Sequence, residues 1–288
     1  MTTISQWIAG ARPRTLPAAI VPVVVASAGA QSQGGFIWDR ALLALVVSLA
    51  IQVGTNYAND YSDGKRGTDD VRVGPMRLVA SQAASAKAVL YAALGAFLVS
   101  AIAGASLAIL SSPYLFLVGL ASLLAGWFYT GGKRPYGYLG LGEVFVFVFF
   151  GLVAVVGSYF VQVGRVDTFS ILLAIPVGFL AVALLVINNL RDIETDMQSS
   201  KMTLAVRLGD RRTRGLYVAL VILAPALSVA LVGWRHFAAL GLAALIFAIR
   251  PIRMVRSGTQ GRSLIAVLVL TGRLQIIFGV LLSIGILL

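Results

Sequence analysis

The segment TFSILLAIPVGFLAVALLVINNLRDIETD, residues 168–196, decides how the whole chain is read. Its first 23 residues, Thr168 to Leu190, carry no charge. At about 1.5 Å per residue such a helix crosses a hydrocarbon core of ~30 Å. The run then closes on Asn188, Asn189, Arg191, Asp192, Glu194 and Asp196. Residues four apart share a helix face, so Asn188, Asp192 and Asp196 fall on one stripe. Polar and ionisable groups at membrane depth are costly and mark functional positions.

The rest of the chain has the same character. Of its 288 residues, 59% are hydrophobic and 12% are charged, and the mean hydropathy is +0.91. Soluble domains carry about 25% charge. Candidate spans fall at 15–31, 41–58, 88–110, 114–130, 144–163, 168–188, 216–233, 236–254 and 264–287. Nine helices of ~20 residues use about 180 positions. The remaining connections are too short for a soluble domain, so residues 1–288 read as a single transmembrane domain. Pro17 and Pro22 predict a kinked first span. The chain has no cysteine and a single histidine, His236. That excludes disulfides, thiol catalysis and Cys- or His-rich metal centres.

The net charge is +12, from 23 Lys and Arg against 11 Asp and Glu. In a soluble protein this would suggest nucleic acid; in a membrane protein basic residues set orientation, and no nucleic-acid partner is expected. With the N-terminus in the cytoplasm, 19 of the 23 lie in cytoplasmic segments. Only Arg40, Arg165 and Arg235 lie outside, and Arg273 lies within the last span. The expected fold is therefore an all-α bundle of nine transmembrane helices, N-terminus in and C-terminus out.

A second polar cluster ends the second span: Asn56-Tyr-Ala-Asn59-Asp60-Tyr-Ser-Asp63-Gly64, running on to Asp69 and Asp70. Asn56 and Asp60 share a face, with Asp63 three residues further on. The two clusters are 132 residues and four helices apart in the same orientation. They predict a parallel internal repeat with Asp-rich motifs at 56–70 and 188–196.

Two carboxylate stripes facing each other at one membrane surface suit Mg2+ bridging a diphosphate. Mg2+ takes oxygen ligands and keeps substrate phosphates in its shell. The candidate metal donors are Asn56, Asp60, Asn188, Asp192 and Asp196, and the candidate catalytic acids are Asp60, Asp63, Asp192 and Asp196. Arg72, Arg77, Lys133, Arg134, Arg191 and Lys201 are placed to grip the outer phosphate oxygens. Asp69, Asp70 and Asp210 read as solvated loop residues. The loop from Tyr129 to Glu143 combines five glycines, three tyrosines and two cations, a composition that lets backbone approach an anion closely. Asn59, Tyr129 and Tyr136 are the candidate substrate-binding side chains. Phe145, Phe147, Phe149 and Phe150 either pack against neighbours or line a channel for an isoprenoid.

These residues resemble the UbiA-type intramembrane prenyltransferases, and the resemblance covers essentially the whole chain. Asn188-x₃-Asp192-x₃-Asp196 matches the family's second motif. The first departs from the pattern, because Gly64 holds its last position and Asp63 stands one residue earlier. Ala11-Arg-Pro-Arg-Thr-Leu-Pro17, the first motif with Gly67-Thr-Asp69, Gly74-Pro-Met-Arg77 and Lys201-x-Thr203-Leu-Ala-Val-Arg207-Leu-Gly209 are similar to the 1,4-dihydroxy-2-naphthoate prenyltransferases of menaquinone synthesis.

The resemblance implies a UbiA-like fold in a bacterial cytoplasmic membrane, with the site toward the cytoplasm. It implies that a polyprenyl diphosphate binds with Mg2+ between the motifs and ionises to an allylic cation. The 1,4-dihydroxy-2-naphthoate ring then attacks through the carbon bearing its carboxylate, and CO₂ leaves, giving a demethylmenaquinone precursor. Asp63 is the group expected to polarise the acceptor's hydroxyl. Two other readings stay open: the same chemistry on a 4-hydroxybenzoate- or homogentisate-type acceptor, and a secondary transporter. Transporter sites usually lie near the midplane between inverted repeats, whereas these acids lie at one surface among cations.

Overall fold

The computed structural model describes residues 2–68, 74 and 76–288. The described residues form helices and connecting turns, with no strand among them. Seven helices are long and apolar enough to cross a membrane, or eight if one bent pair counts as a single span.

That pair opens the chain. Helix α1, Ile4–Ala11, is capped by Thr3 and Gln6 in a reciprocal capping box. It stops where Arg12 enters the left-handed region at φ 55° and Pro13 follows. Helix α2, Pro17–Ser32, restarts with proline at its first position, bent by 53° from the preceding segment. The expected kink is thus a break at residues 12–16. Pro22 lies inside the continuing helix.

Helix α3, Trp38–Arg66, carries the first motif in its last turns and ends at Gly67. Helix α4, Ala86–Leu110, packs along it. Helix α5, Leu115–Phe128, coincides with the expected fourth span but has only 14 residues. At ~1.5 Å per residue it is shorter than the membrane core. Helix α6, Gly142–Val163, contains a π-helical stretch over Phe147–Val153. Helix α7, Thr168–Arg191, is started by an Asp167–Ser170 capping box. It is the central element, with 72% of its apolar window buried against 28% for α4. The short helix α8, Ile193–Gln198, follows immediately.

Helix α9, Leu204–Leu231, is broken at Gly209, whose φ 74° and ψ 169° are open essentially only to glycine. Helices α10, His236–Arg256, and α11, Gly261–Leu287, complete the bundle. The main core joins α2, α6, α7, α9 and α11 through buried side chains including Val25, Tyr159, Leu180, Tyr217 and Phe278. At one crossing α6 and α7 approach without side chains between them. A Cβ on Gly151 would come 2.8 Å from the Cα of Gly178. Small residues allow this backbone approach in membranes.

Candidate active site

The C-terminal ends of α3 and α7 face one cavity of about 820 Å³. Gln52, Thr55, Asn56, Asn59 and Asp63 line it from α3, at the i, i+3, i+4, i+7, i+11 spacing of a single helical stripe. Ala181, Leu184, Leu185, Asn188 and Asp192 repeat the same offsets from α7. Arg12, Arg14, Arg77, Arg191 and Lys201 add cations at this polar end. The other end is apolar and reaches Ala44, Leu107 and Val161 near the far side of the bundle.

Asp63, rather than Asp60, is the acid of the first motif that lines the cavity. Asp60 is 1% exposed, and its carboxylate accepts the backbone N–H groups of Leu78 (2.8 Å) and Val79 (3.0 Å). It clamps the returning segment onto α3. Gly64 explains the geometry: a Cβ there would lie 2.6 Å from the Cβ of Val79, so only glycine lets that segment lie flat. The stripe through Asn56 and Asp60 therefore turns away from the cavity after Asn56. The stripe through Asn59 and Asp63 takes its place.

Asp63 sits in a dense network. Tyr138 donates its hydroxyl to Asp63 Oδ1 at 2.8 Å, and Arg77 Nη2 lies 3.6 Å from Oδ2. Lys201 Nζ lies 4.0 Å from Asp63 and 3.5 Å from Asp196, tying the two motifs together. The Tyr138 ring is flanked by the Lys201 ammonium and the Arg66 guanidinium, each 5.3 Å from its centroid.

In the second motif α7 ends at Asp192, so the predicted two-turn stripe is interrupted. Arg191 grips Asp192 through two hydrogen bonds, 2.7 Å from Nε and 2.6 Å from Nη2. Asp196 sits on α8 and is buried against Lys201 and Thr203. It does not line the cavity.

Asn56 donates Nδ2 to the Ala11 carbonyl at 2.9 Å, which leaves its Oδ1 for the cavity. Asn59 accepts from Thr130 Oγ1 at 2.7 Å. Tyr129 and Tyr136 line the cavity. Tyr136 donates to the Ala125 carbonyl and stacks on Phe145 at 3.9 Å. Phe145, Phe149 and Phe150 continue the lining, while Phe147 turns into the core against Phe179. Burial pushes the hydroxyls of Tyr129, Tyr136 and Tyr138 up from their ordinary range, reinforced at Tyr129 by Glu143 and at Tyr138 by Asp63. All three stay protonated at neutral pH.

Of the cations expected to grip phosphate, Arg77, Arg191 and Lys201 meet at the cavity. Lys133 and Arg134 do not: both are exposed on the Tyr129–Glu143 loop, away from the lining. Arg72, Asp69 and Asp70 lie outside the described residues. No group of three or more His, Cys, Asp or Glu side chains gathers to cage a metal among the described residues. The donors that do meet, Asp63 and Asp192 with the amides of Asn56 and Asn188, fit Mg2+. That ion binds through one or two carboxylates and takes its remaining ligands from substrate phosphates and water.

The model of the UbiA prenyltransferase family matches residues 19–282. The chain belongs to the UbiA prenyltransferase family. Within that family it is 51% identical over 280 residues to the 1,4-dihydroxy-2-naphthoate octaprenyltransferase of Mycobacterium leprae, covering 97% of this chain and 95% of that protein. Its fold is that of a UbiA homolog from Aeropyrum pernix K1, with a TM-score of 0.73 and 18% identity over 92% of this chain and 97% of that one. A UbiA homolog from Archaeoglobus fulgidus bound to GPP and Mg2+ gives a TM-score of 0.69 and 15% identity, covering 98% of this chain and 99% of that one.

In this UbiA-family chain the cavity is also lined by residues outside the two Asp-rich motifs. Arg12 and Arg14 read as orienting charges on sequence, yet they line the polar end of the cavity. The Arg-Pro-Arg spacing and the following Pro17 were the available signal, because they force the break that swings both toward α3. Gln52 lies one turn before Asn56, and Thr55 one turn before Asn59, on the same cavity-facing stripe. Glu143 is buried and accepts the Asn189 amide at 3.0 Å.

Proposed function

We propose that this chain transfers a polyprenyl group from a polyprenyl diphosphate to 1,4-dihydroxy-2-naphthoate with decarboxylation, as a step of menaquinone biosynthesis. The observation that carries this reading is the cavity itself. It gathers one acid from each Asp-rich motif and three of the expected cations at one end, and continues as an apolar slot at the other. The names of the mycobacterial and other relatives support the naphthoate acceptor over a benzoate or homogentisate. The anion-gripping cations count against a cation pathway.

In this reading Arg77, Arg191 and Lys201 hold the outer oxygens of the diphosphate. Asp63 and Asp192, with Asn56 and Asn188, would hold Mg2+, which when bound neutralises charge on the departing diphosphate. Asp60 and Asp196 act one step back: Asp60 fixes the segment that carries Arg77, and Asp196 fixes Lys201. The allylic C–O bond breaks and its electron pair leaves on diphosphate. Phe145, Phe149 and Phe150 face the resulting cation with their rings. The ring carbon bearing the carboxylate forms the new C–C bond, and the bond to CO₂ then breaks and returns its pair to the ring. No strong base is needed. Asn59, Tyr129 and Tyr136 bound the acceptor's side of the cavity as neutral hydrogen-bonding groups.

The reading includes nine crossings, with α5 and the bent α1–α2 pair each counted as one. It places the N-terminus and the site in the cytoplasm of a bacterial cell, and treats the two motif-bearing helices as related halves of a parallel repeat. The deciding experiment is an assay in detergent with Mg2+, a polyprenyl diphosphate and 1,4-dihydroxy-2-naphthoate, following prenylated lipid and released CO₂. Equal amounts of both products are expected. Turnover with 4-hydroxybenzoate but not the naphthoate would change the acceptor, and no turnover with any aromatic acceptor would reject prenyl transfer.

A further inference from the structure

Glu143 lies at the start of α6 and is 6% exposed; Asn189, in the last turn of α7, is 5% exposed. The Asn189 amide donates Nδ2 to Glu143 Oε1 at 3.0 Å, across 46 residues of sequence. The other carboxyl oxygen, Oε2, is buried with no hydrogen-bond partner. Glu143 does not line the cavity, but Asn189 does, beside Asn188. One N–H of Asn189 is donated to Glu143, which fixes the plane of the amide, and its carbonyl oxygen is the acceptor that Asn189 can offer the cavity. That oxygen accepts a hydrogen bond and repels an anion. It suits neither a diphosphate nor the acceptor's carboxylate, and it does suit a hydroxyl.

We infer that Asn189 reads the 4-hydroxyl of the naphthoate acceptor and that Glu143 is the positioning residue that fixes its amide. The inference rests on the proposed function and adds a specificity determinant to it. The chemistry of the ring singles out that hydroxyl. The 1-hydroxyl is ortho to the carboxylate and shares its proton with it, and it is the group that activates the attacking carbon. The 4-hydroxyl is meta to that carbon, contributes little to its reactivity, and has a free proton to donate. A site built to pair a hydroxyl discriminates strongly against an analogue lacking it, because the site's own polar group is left without a partner.

The test compares 1,4-dihydroxy-2-naphthoate with 1-hydroxy-2-naphthoate, which keeps the reacting carbon and carboxylate but lacks the 4-hydroxyl. Wild-type enzyme is expected to favour the dihydroxy acceptor by at least tenfold in kcat/KM. Asn189→Ala and Glu143→Ala are each expected to collapse that ratio toward one, chiefly through a raised KM for the naphthoate, with the KM for polyprenyl diphosphate unchanged. Asn189→Asp alone sets two carboxylates against each other and loses the preference. Adding Glu143→Gln lets the glutamine amide donate to the new aspartate, which again presents an oxygen to the cavity, and the preference returns. Variants that keep the wild-type ratio overturn the inference, as does a double variant no better than Asn189→Asp at unchanged thermal stability. A wild-type enzyme that turns over neither naphthoate rejects the proposed function instead.

Discussion

Asp60 and Asp63 stand three residues apart on one helix and do different work. Asp60 holds two buried backbone amides, so Asp60→Ala leaves both without an acceptor, at about 1–3 kcal/mol for each group. It is expected to lower the melting temperature in detergent as well as activity. Asp63→Asn and Asp192→Asn, which keep the shape and most of the hydrogen bonding of each buried side chain, are expected to abolish turnover with a smaller loss of melting temperature than Asp60→Ala. Equal destabilisation by all three would remove the distinction. The sequence identified both acids and their helix face, because i, i+4 spacing is a property of any helix. It could not show which stripe turns inward. That depends on Val79 lying against Gly64, a contact between a helix and a loop that periodicity does not encode. Lys133 and Arg134 were misplaced for the same reason. A cation's charge is legible in sequence, but its direction on a glycine-rich loop is set by backbone dihedrals.

At the scale of elements, the apolar runs located the long helices but not the short α1 and α8, since membrane helices must satisfy their own backbone and announce themselves by composition. The prolines pointed to the interrupted first span; what was left out are the π-helical stretch, the end of α7 at Asp192 and the glycine break in α9. Each is a local departure that tertiary contacts stabilise. The Gly151–Gly178 crossing is one such contact. Gly178→Val forces side-chain atoms against the Gly151 backbone and the Phe147 ring. A loss of about 1–3 kcal/mol is expected, read as a lower melting temperature.

The start of α7 gives a pH-dependent case. Burial raises the Asp167 carboxyl, but hydrogen bonds from the Ser170 N–H, Arg165 and Tyr159 outweigh it and hold the pKa below the usual value. A depressed native pKa adds stability above the unfolded value of about 3.9, and that stability is lost as pH falls through the native value. Asp167→Ala is therefore expected to lower the melting temperature more at pH 7 than in acid below the native value, where the charge contribution is lost. A constant gap at both pH values would show that the carboxylate's charge is not involved.

At the scale of the whole molecule, Asp63 and Asp192 come from opposite halves of the chain, and Lys201 ties the first half to the second. In the proposed reading a site divided this way would hold Mg2+ mainly through substrate. EDTA is expected to stop turnover and excess Mg2+ to restore it, while the melting temperature without diphosphate moves little on chelation; chelator-insensitive turnover would contradict the metal assignment. The orientation is open to direct measurement because the chain has no cysteine to remove. Lys87→Cys is expected to react with an impermeant thiol reagent only in inside-out vesicles, and Tyr114→Cys only in right-side-out ones. The opposite pattern would invert the proposed topology.

The π-helical stretch over Phe147–Val153 sets the rotational phase of everything after it in α6. Such a stretch amounts to one residue inserted into an ordinary helix. Deleting a single residue within it would restore regular winding and rotate the following half of α6 by about 100°. Gly151 would leave Gly178, and Ala154, Gly157, Ser158 and Val161 would swing off the cavity wall together. Substitutions along this helix can accumulate one at a time, each with a local effect. A change in length here is all or nothing, so the chain tolerates many spellings of this segment but only one number of letters.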